Sequence, residues 1–317
     1  MQLPDIDAVR QAAKNIAPFI RETPVRQSQS IDDLLGCRAY FKCENLQYTG
    51  AFKLRGATNA VLNMKQTESF AGVITHSSGN HAAALAYAAQ QHHIPCHVVM
   101  PEDAPGFKQQ AVRQHGANVT LCKPGMESRQ ATTESIMRSD SGLRLIHPYD
   151  NYDVIAGQGT TTLEFLAQQQ SMDMLVVPVG GGGLIGGAGI VVSSLMPGIA
   201  LIGVEPEEVD EAYRSLAEGK RMPATGNKTI ADGLQAGIGE RNFVLLQQTV
   251  QRLVTVSEQQ IKKAMRLIHL HLQMTVEPSA AVGLAALLSG QLDIDNKSIG
   301  IILTGGNIEP TLFKNLI

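Results

Sequence analysis

Two stretches of this 317-residue chain place chemically capable residues in telling company. The first is Phe52-Lys53-Leu54. A lysine buried between apolar neighbours is desolvated, its pKa falls, and the free amine can condense with an aldehyde to an imine. Taken alone, the lysine reads as a surface charge, so its surroundings decide. The second is Gly180-Gly181-Gly182-Gly183, which directly follows the apolar run 174–179 and precedes a helical pattern over 184–195. Bare backbone amides at a helix N-terminus approach an anion closely, and the helix dipole adds positive potential, so a phosphate is the natural guest. The plainer reading is a tight strand-to-helix turn, yet four consecutive glycines exceed what a turn requires.

The glycine run leaves the kind of phosphate open. Gly181-x-Gly183-x-x-Gly186 satisfies the dinucleotide-binding pattern, and Glu205 ends the next strand near the ~20-residue spacing of a ribose-binding acid. A nicotinamide-dependent (NAD) oxidoreductase is therefore one reading of this segment. Gly183 is followed by Leu184-Ile185 rather than lysine, which argues against a P-loop. Glu205, Glu207, Glu208, Asp210 and Glu211 form an acidic cluster that reads either as a solvated loop or as an oxygen-rich site for Mg²⁺ or Ca²⁺. His92 and His93 are adjacent, and His269 and His271 are two apart; neither pair shares a helical face, so no zinc site is expected.

The elements that must position these residues alternate along the chain. Strand-like runs at 72–75, 96–100, 118–121, 174–179, 200–204 and 299–303 are separated by helical patterns at 81–91, 107–115, 128–137 and 184–195. Ser257 and Gln260 form a capping box ahead of Ile261, Met265, Ile268 and Leu272 at helical spacing. Continuous apolar strands alternating with helices imply an α/β fold with parallel sheets buried on both faces. Two clusters of such units, 72–149 and 150–317, imply two lobes, with ligand bound beyond the carboxyl ends of strands. The 44% hydrophobic and 17% charged composition supports a large core. Twenty-six basic against 29 acidic side chains give a charge of −3, which argues against a nucleic-acid binder. No apolar run reaches the ~20 residues of a bilayer span. Cys37, Cys43, Cys96 and Cys122 show no C-x-x-C spacing and read as reduced thiols, so a cytoplasmic protein is the expectation.

Four further segments, together with the lysine and glycine stretches, bring a resemblance into view. Glu44 to Ala57 around Lys53, Ser77-Ser78-Gly79-Asn80-His81, the tetraglycine run, Thr229-Ile230-Ala231-Asp232-Gly233, Val276-Glu277-Pro278 and Leu303-Thr304-Gly305-Gly306-Asn307 occur in order along nearly the whole chain. Together they resemble the fold-type II pyridoxal-phosphate enzymes, in the serine/threonine dehydratase and serine racemase branch. The resemblance implies a two-lobe, tryptophan synthase β-like fold, with a large domain at 1–71 and 150–317 and a small domain at 72–149. It implies a homodimer and pyridoxal 5′-phosphate as cofactor. Lys53 would form the imine and act as acid/base at Cα, Phe52 would pack beside the cofactor, and Asn80 would meet the pyridine 3-hydroxyl oxygen. Gly180, Gly181, Gly182 and Gly183 would hold the phosphate, Gly233 would line the pocket, and Thr304 would face the pyridine nitrogen. A neutral hydroxyl there leaves the ring a weaker electron sink, which favours loss of a β-leaving group.

On the substrate side, the resemblance gives the α-carboxylate to the loop of Ser77, Ser78, Gly79, Asn80 and His81. Ser78 would be a second acid/base on the face opposite Lys53, as in racemases; a serine donating to the carboxylate is the rival reading. Arg129 would meet a distal carboxylate, against a solvated helix arginine. A metal would take Glu205, the Val209 carbonyl and Glu211, although Glu211 is longer than the family's usual aspartate. Ala82 departs from the glycine of animal racemases, and Ala236 replaces a serine of some relatives. The implied activity is α,β-elimination from L-serine, L-threonine or 3-hydroxyaspartate to a 2-oxo acid and ammonia. A serine or aspartate racemase is the alternative. The intact Lys53, Asn80 and glycine run speak against a non-catalytic amino-acid-binding module.

Overall fold

The computed structural model describes residues 2–67 and 69–317. Ten strands are present among them: β1 (Val25–Arg26), β2 (Arg38–Cys43), β3 (Gly72–His76), β4 (Cys96–Pro101), β5 (Asn118–Cys122), β6 (Leu143–Leu145), β7 (Met174–Pro178), β8 (Ala200–Pro206), β9 (Arg252–Val256) and β10 (Ser298–Leu303). They form a six-stranded sheet of order β1-β2-β10-β7-β8-β9 and a four-stranded sheet of order β5-β4-β3-β6. Every pairing is parallel except that of the short β1 with β2. The α/β expectation holds.

Alternation along the central strands explains why both faces of the larger sheet are covered. Met174 and Val176 of β7 pack into one core with the helices Glu258–Leu272 and Pro278–Leu288. Leu175 and Val177 pack on the other face with the helices Tyr152–Gln168 and Gly183–Leu195. The capping box at the start of Glu258–Leu272 is formed: Ser257 N donates to Gln260 Oε1 at 2.8 Å, and Gln260 N donates to Ser257 Oγ at 3.3 Å. All four cysteines are free and buried. Among the described residues no helix is long and apolar enough to cross a membrane.

One helix belongs to both halves. Leu54, Ala57, Ala60 and Val61 of the helix Lys53–Thr67 pack with Ala82, Leu85, Val98 and Met100 in the core beneath the four-stranded sheet. Its N-terminus is held by the other sheet: Phe52 N donates to Thr304 O at 3.0 Å, just past β10, and Ala51 bridges Gly305. This helix therefore packs in both halves, and Lys53 sits where they meet.

Candidate active site

The carboxyl ends of β3, β7 and β10 run into Ser77, Gly180 and Thr304, and all three line one cavity of about 230 Å³ between the sheets. This is where parallel α/β sheets bind ligands. Lys53 enters the cavity from its helix N-terminus, with Nζ donating to Pro148 O at 2.9 Å and lying 5.1 Å from the Phe52 ring centre. Desolvation lowers its pKa from 10.5 to about 8, opposed by the nearby Glu277 carboxyl. The amine is thus available as a nucleophile near neutral pH.

The start of that helix is fixed from behind by a buried ionic cluster. Arg55 donates to both oxygens of Glu44, at 2.9 and 2.8 Å, and to both oxygens of Glu164, at 2.9 and 2.8 Å. Lys42 donates to Glu164 at 2.5 Å, and Thr23 Oγ1 donates to Glu44 at 2.6 Å. A buried cation with two carboxylates at bidentate geometry resists rotation, so the backbone two residues upstream is held as well.

The tetraglycine run wraps the opposite wall. A Cβ at Gly181 would strike the Tyr149 ring, one at Gly182 would lie 2.7 Å from Asn242 Cβ, and one at Gly180 would lie 3.0 Å from the Leu234 backbone. Gly182 also has φ +87°, a left-handed conformation that glycine adopts without strain. Among the described residues the amides of Gly181, Gly182 and Gly183 donate to no backbone carbonyl. They stand at the start of the helix Gly183–Leu195 and so offer an anion both N–H groups and a positive helix end. The residues fit a cofactor that carries an aldehyde at one end and a phosphate at the other.

The remaining residues expected from the sequence divide as follows. Asn80 Nδ2 donates to Glu277 Oε1 at 2.7 Å, and its Oδ1 accepts from Asn307 Nδ2 at 2.8 Å, which fixes the amide and leaves one N–H free to turn toward a ligand. Thr304, Gly233, Ser77, Ser78 and Gly79 line the cavity. Gly233 N is spent on Ser279 Oγ at 3.0 Å. His81 also borders the cavity, but its ring is buried against Ile146 O at 3.4 Å, and burial holds it neutral far below its usual pKa. Arg129, on the helix Met126–Ser139, lines the far side, anchored by Nε to Gly125 O at 3.3 Å.

Glu205, Val209 and Glu211 lie outside this cavity. The Glu205 carboxylate caps the helix Glu211–Glu218, accepting from Ala212 N at 3.0 Å and Tyr213 N at 2.7 Å. Glu211 Oε1 accepts from Thr225 N at 2.7 Å, while its Oε2 is buried without a partner among the described residues. Burial raises Glu205 to about 8, with Glu211 adding repulsion. No group of three or more His, Cys, Asp or Glu side chains positioned for a metal occurs among the described residues; this set has two carboxylates and one carbonyl.

The sequence reading gave no role to several residues that the structure brings in. Glu277 is buried beside Lys53 and Asn80 and is raised to about 7, first by desolvation and then by Asp232. Its signal was the position before Pro278, where it opens the helix Pro278–Leu288. Tyr149 packs its ring on Gly181, and its carbonyl would lie 3.1 Å from a Cβ at Gly183. His147, beside it, is lowered to about 4 by burial and then by His76; its Nδ1 accepts from Asp150 N at 3.0 Å. Lys108 pairs with Asp232 across the mouth of the cavity. No local pattern marks the last three, because each is defined by what lies opposite in space.

The model of the pyridoxal-phosphate dependent enzymes matches residues 16–305. The chain belongs to this family. It is 43% identical over 313 residues to the serine racemase of Dictyostelium discoideum, covering 98% of this chain and 96% of that one. It is 42% identical over 309 residues to the beta-hydroxyaspartate dehydratase of Paracoccus denitrificans, covering 98% of both. The structure of maize serine racemase superposes with a TM-score of 0.95 at 38% identity, covering 99% of this chain and 97% of that chain. The cofactor that this family implies is pyridoxal phosphate, not a nicotinamide dinucleotide. That displaces the dinucleotide reading of Gly181-x-Gly183-x-x-Gly186.

Proposed function

We propose that this enzyme removes water from a small β-hydroxy amino acid, with 3-hydroxyaspartate as the favoured substrate class and L-serine and L-threonine as lesser ones. The observation that carries the reading is Arg129 on the same cavity as Lys53, the 77–81 loop and the tetraglycine run. His76, His81 and His147 are held neutral by burial, so Arg129 is the cation on that side suited to a second carboxylate. The Paracoccus relative's name points the same way.

Bound pyridoxal phosphate supplies the electron sink that acidifies the substrate's Cα proton. In this reading Ser77, Ser78 and the Gly79 and Asn80 amides receive the α-carboxylate, and Arg129 receives the β-carboxylate. Lys53 Nζ takes the Cα proton. The β-hydroxyl departs as water after gaining a proton, and the released enamine tautomerises and hydrolyses to a 2-oxo acid and ammonia. Glu277 holds Asn80, and Thr304 presents a neutral hydroxyl from the end of β10.

Ser78 favours a second reading. It lines the cavity on the 77–81 loop, where a second acid/base would return a proton to the face opposite Lys53. Racemisation of serine or aspartate would follow, in keeping with the name of the Dictyostelium relative. The unpartnered Glu211 Oε2 beside Glu205 supports a bound Mg²⁺ or Ca²⁺ completed by the Val209 carbonyl. The reading also includes a homodimer in the cytoplasm, with a small lobe, 72–149, beside a large lobe, 1–71 and 150–317. The test is a panel of L- and D-serine, threonine and 3-hydroxyaspartate, scored for oxo acid, ammonia and enantiomer, with and without Mg²⁺. Dehydration of 3-hydroxyaspartate ahead of serine supports the first reading; enantiomer formation without ammonia replaces it with the second.

A further inference from the structure

The four glycines that let the backbone approach a phosphate also leave it free to turn its peptides the wrong way, because glycine takes up φ on either side readily. Something else must hold the amides inward. Asn242 does so by position: it is fully buried on the helix Glu240–Thr249, directly beneath the run. Its Nδ2 has two N–H groups, and both are spent on backbone carbonyls. One goes to Gly181 O at 2.6 Å and the other to Tyr149 O at 3.1 Å. Gly239 N adds a second donor to Gly181 O at 3.2 Å. A flipped amide would set Oδ1 against two carbonyl oxygens, so the orientation is determined.

Across a trans peptide, C=O and N–H point in opposite directions. With Gly181 C=O drawn toward Asn242, the N–H of Gly182 is turned away from it. On the other side of Gly182, its carbonyl accepts from Gly186 N at 2.8 Å and begins the helix. Both peptides flanking Gly182 are thereby fixed. The helix bearing Asn242 is itself docked, since Asp150 accepts from Glu240 N at 2.9 Å and Arg241 N at 3.1 Å.

We infer that Asn242 is a positioning residue for the cofactor phosphate: it pulls the Gly181 and Tyr149 carbonyls outward and so pre-orients the tetraglycine amides. The inference rests on the family's cofactor and is independent of which amino acid is the substrate. Pre-orientation removes an ordering cost from binding, so its loss weakens affinity without removing a ligand contact.

The test titrates full-length apoprotein with pyridoxal phosphate and, separately, with pyridoxal, which has the aldehyde but no phosphate. Wild type is compared with Asn242→Asp, which keeps the shape and reverses the hydrogen bonding, and with Asn242→Leu. The expected result is a Kd for pyridoxal phosphate raised by about 10- to 100-fold, the range for losing hydrogen bonds to buried carbonyls, with the pyridoxal Kd nearly unchanged. Equal weakening of both ligands, or no change for pyridoxal phosphate, overturns the assignment. Failure of both variants to fold overturns it as well, because Asn242 would then serve the helix rather than the cradle.

Discussion

The reactivity of Lys53 rests on its desolvation, and Glu277 sets how far that goes. At about pH 7.5 an amine with a pKa of about 8 is roughly one-quarter neutral, against roughly one-thousandth for a lysine at 10.5, a gain of about 200-fold in reactive form. The Glu277 carboxylate works against this by favouring the ammonium. Replacing it with glutamine keeps an acceptor for Asn80 Nδ2 and removes the charge, so the Lys53 pKa moves further down. The assay is the rate of pyridoxal-phosphate uptake by the full-length apoprotein as pH is varied. The neutral fraction grows with pH up to the pKa, so the wild-type rate climbs and levels off near pH 8. Glu277→Gln levels off at lower pH and is faster between about pH 7 and 8, where the wild-type Glu277 is ionised; below pH 7 the carboxyl protonates and the two rates converge. A wild-type rate still rising about tenfold per pH unit above pH 9 marks an ordinary solvated lysine and refutes the reasoning, as does a Gln variant whose plateau moves upward.

Three other changes probe separate parts of the site. Arg55→Met leaves the fully buried Glu44 without its cation and costs about 3–5 kcal/mol, read as a lower denaturant midpoint; an unchanged midpoint shows that the cluster contributes nothing to holding the Lys53 helix. Arg129→Met lowers kcat/KM for 3-hydroxyaspartate by about 10- to 100-fold, the range for a charged hydrogen bond, and leaves L-serine little changed; equal loss on both substrates removes Arg129 from carboxylate recognition. Ser78→Ala suppresses D/L interconversion more than ammonia release, and equal suppression assigns Ser78 to carboxylate binding alone.

The sheet strands were legible where they are buried on both faces. β7, β8 and β10 each carry an uncharged, mostly apolar run, and the runs at 174–179, 200–204 and 299–303 locate them within a residue or two. β2 was not singled out, because it carries Arg38 and Lys42 and reads as polar; Lys42 is in fact buried and neutralised by Glu164 across 122 positions of sequence. β9 begins on Arg252 and was hidden in the same way. In the candidate site, Lys53, the tetraglycine run and Asn80 could be found because each sits in a local motif at an element's start or end. Tyr149, Lys108 and Asn242 could not, since each acts through a partner from a distant segment: Gly181, Asp232, and Gly181 again. Hydrophobic period and turn chemistry are local, whereas the walls of a cavity between two sheets are assembled from everywhere.

The central claim is that Lys53 carries the cofactor aldehyde, and reductive trapping tests it most directly. The purified protein is treated with borohydride and digested, and the peptides are weighed. The account predicts a visible absorbance that the reductant abolishes and a phosphopyridoxyl group on the peptide containing Lys53 alone. A modified peptide lacking Lys53, or protein that takes up no cofactor, contradicts it.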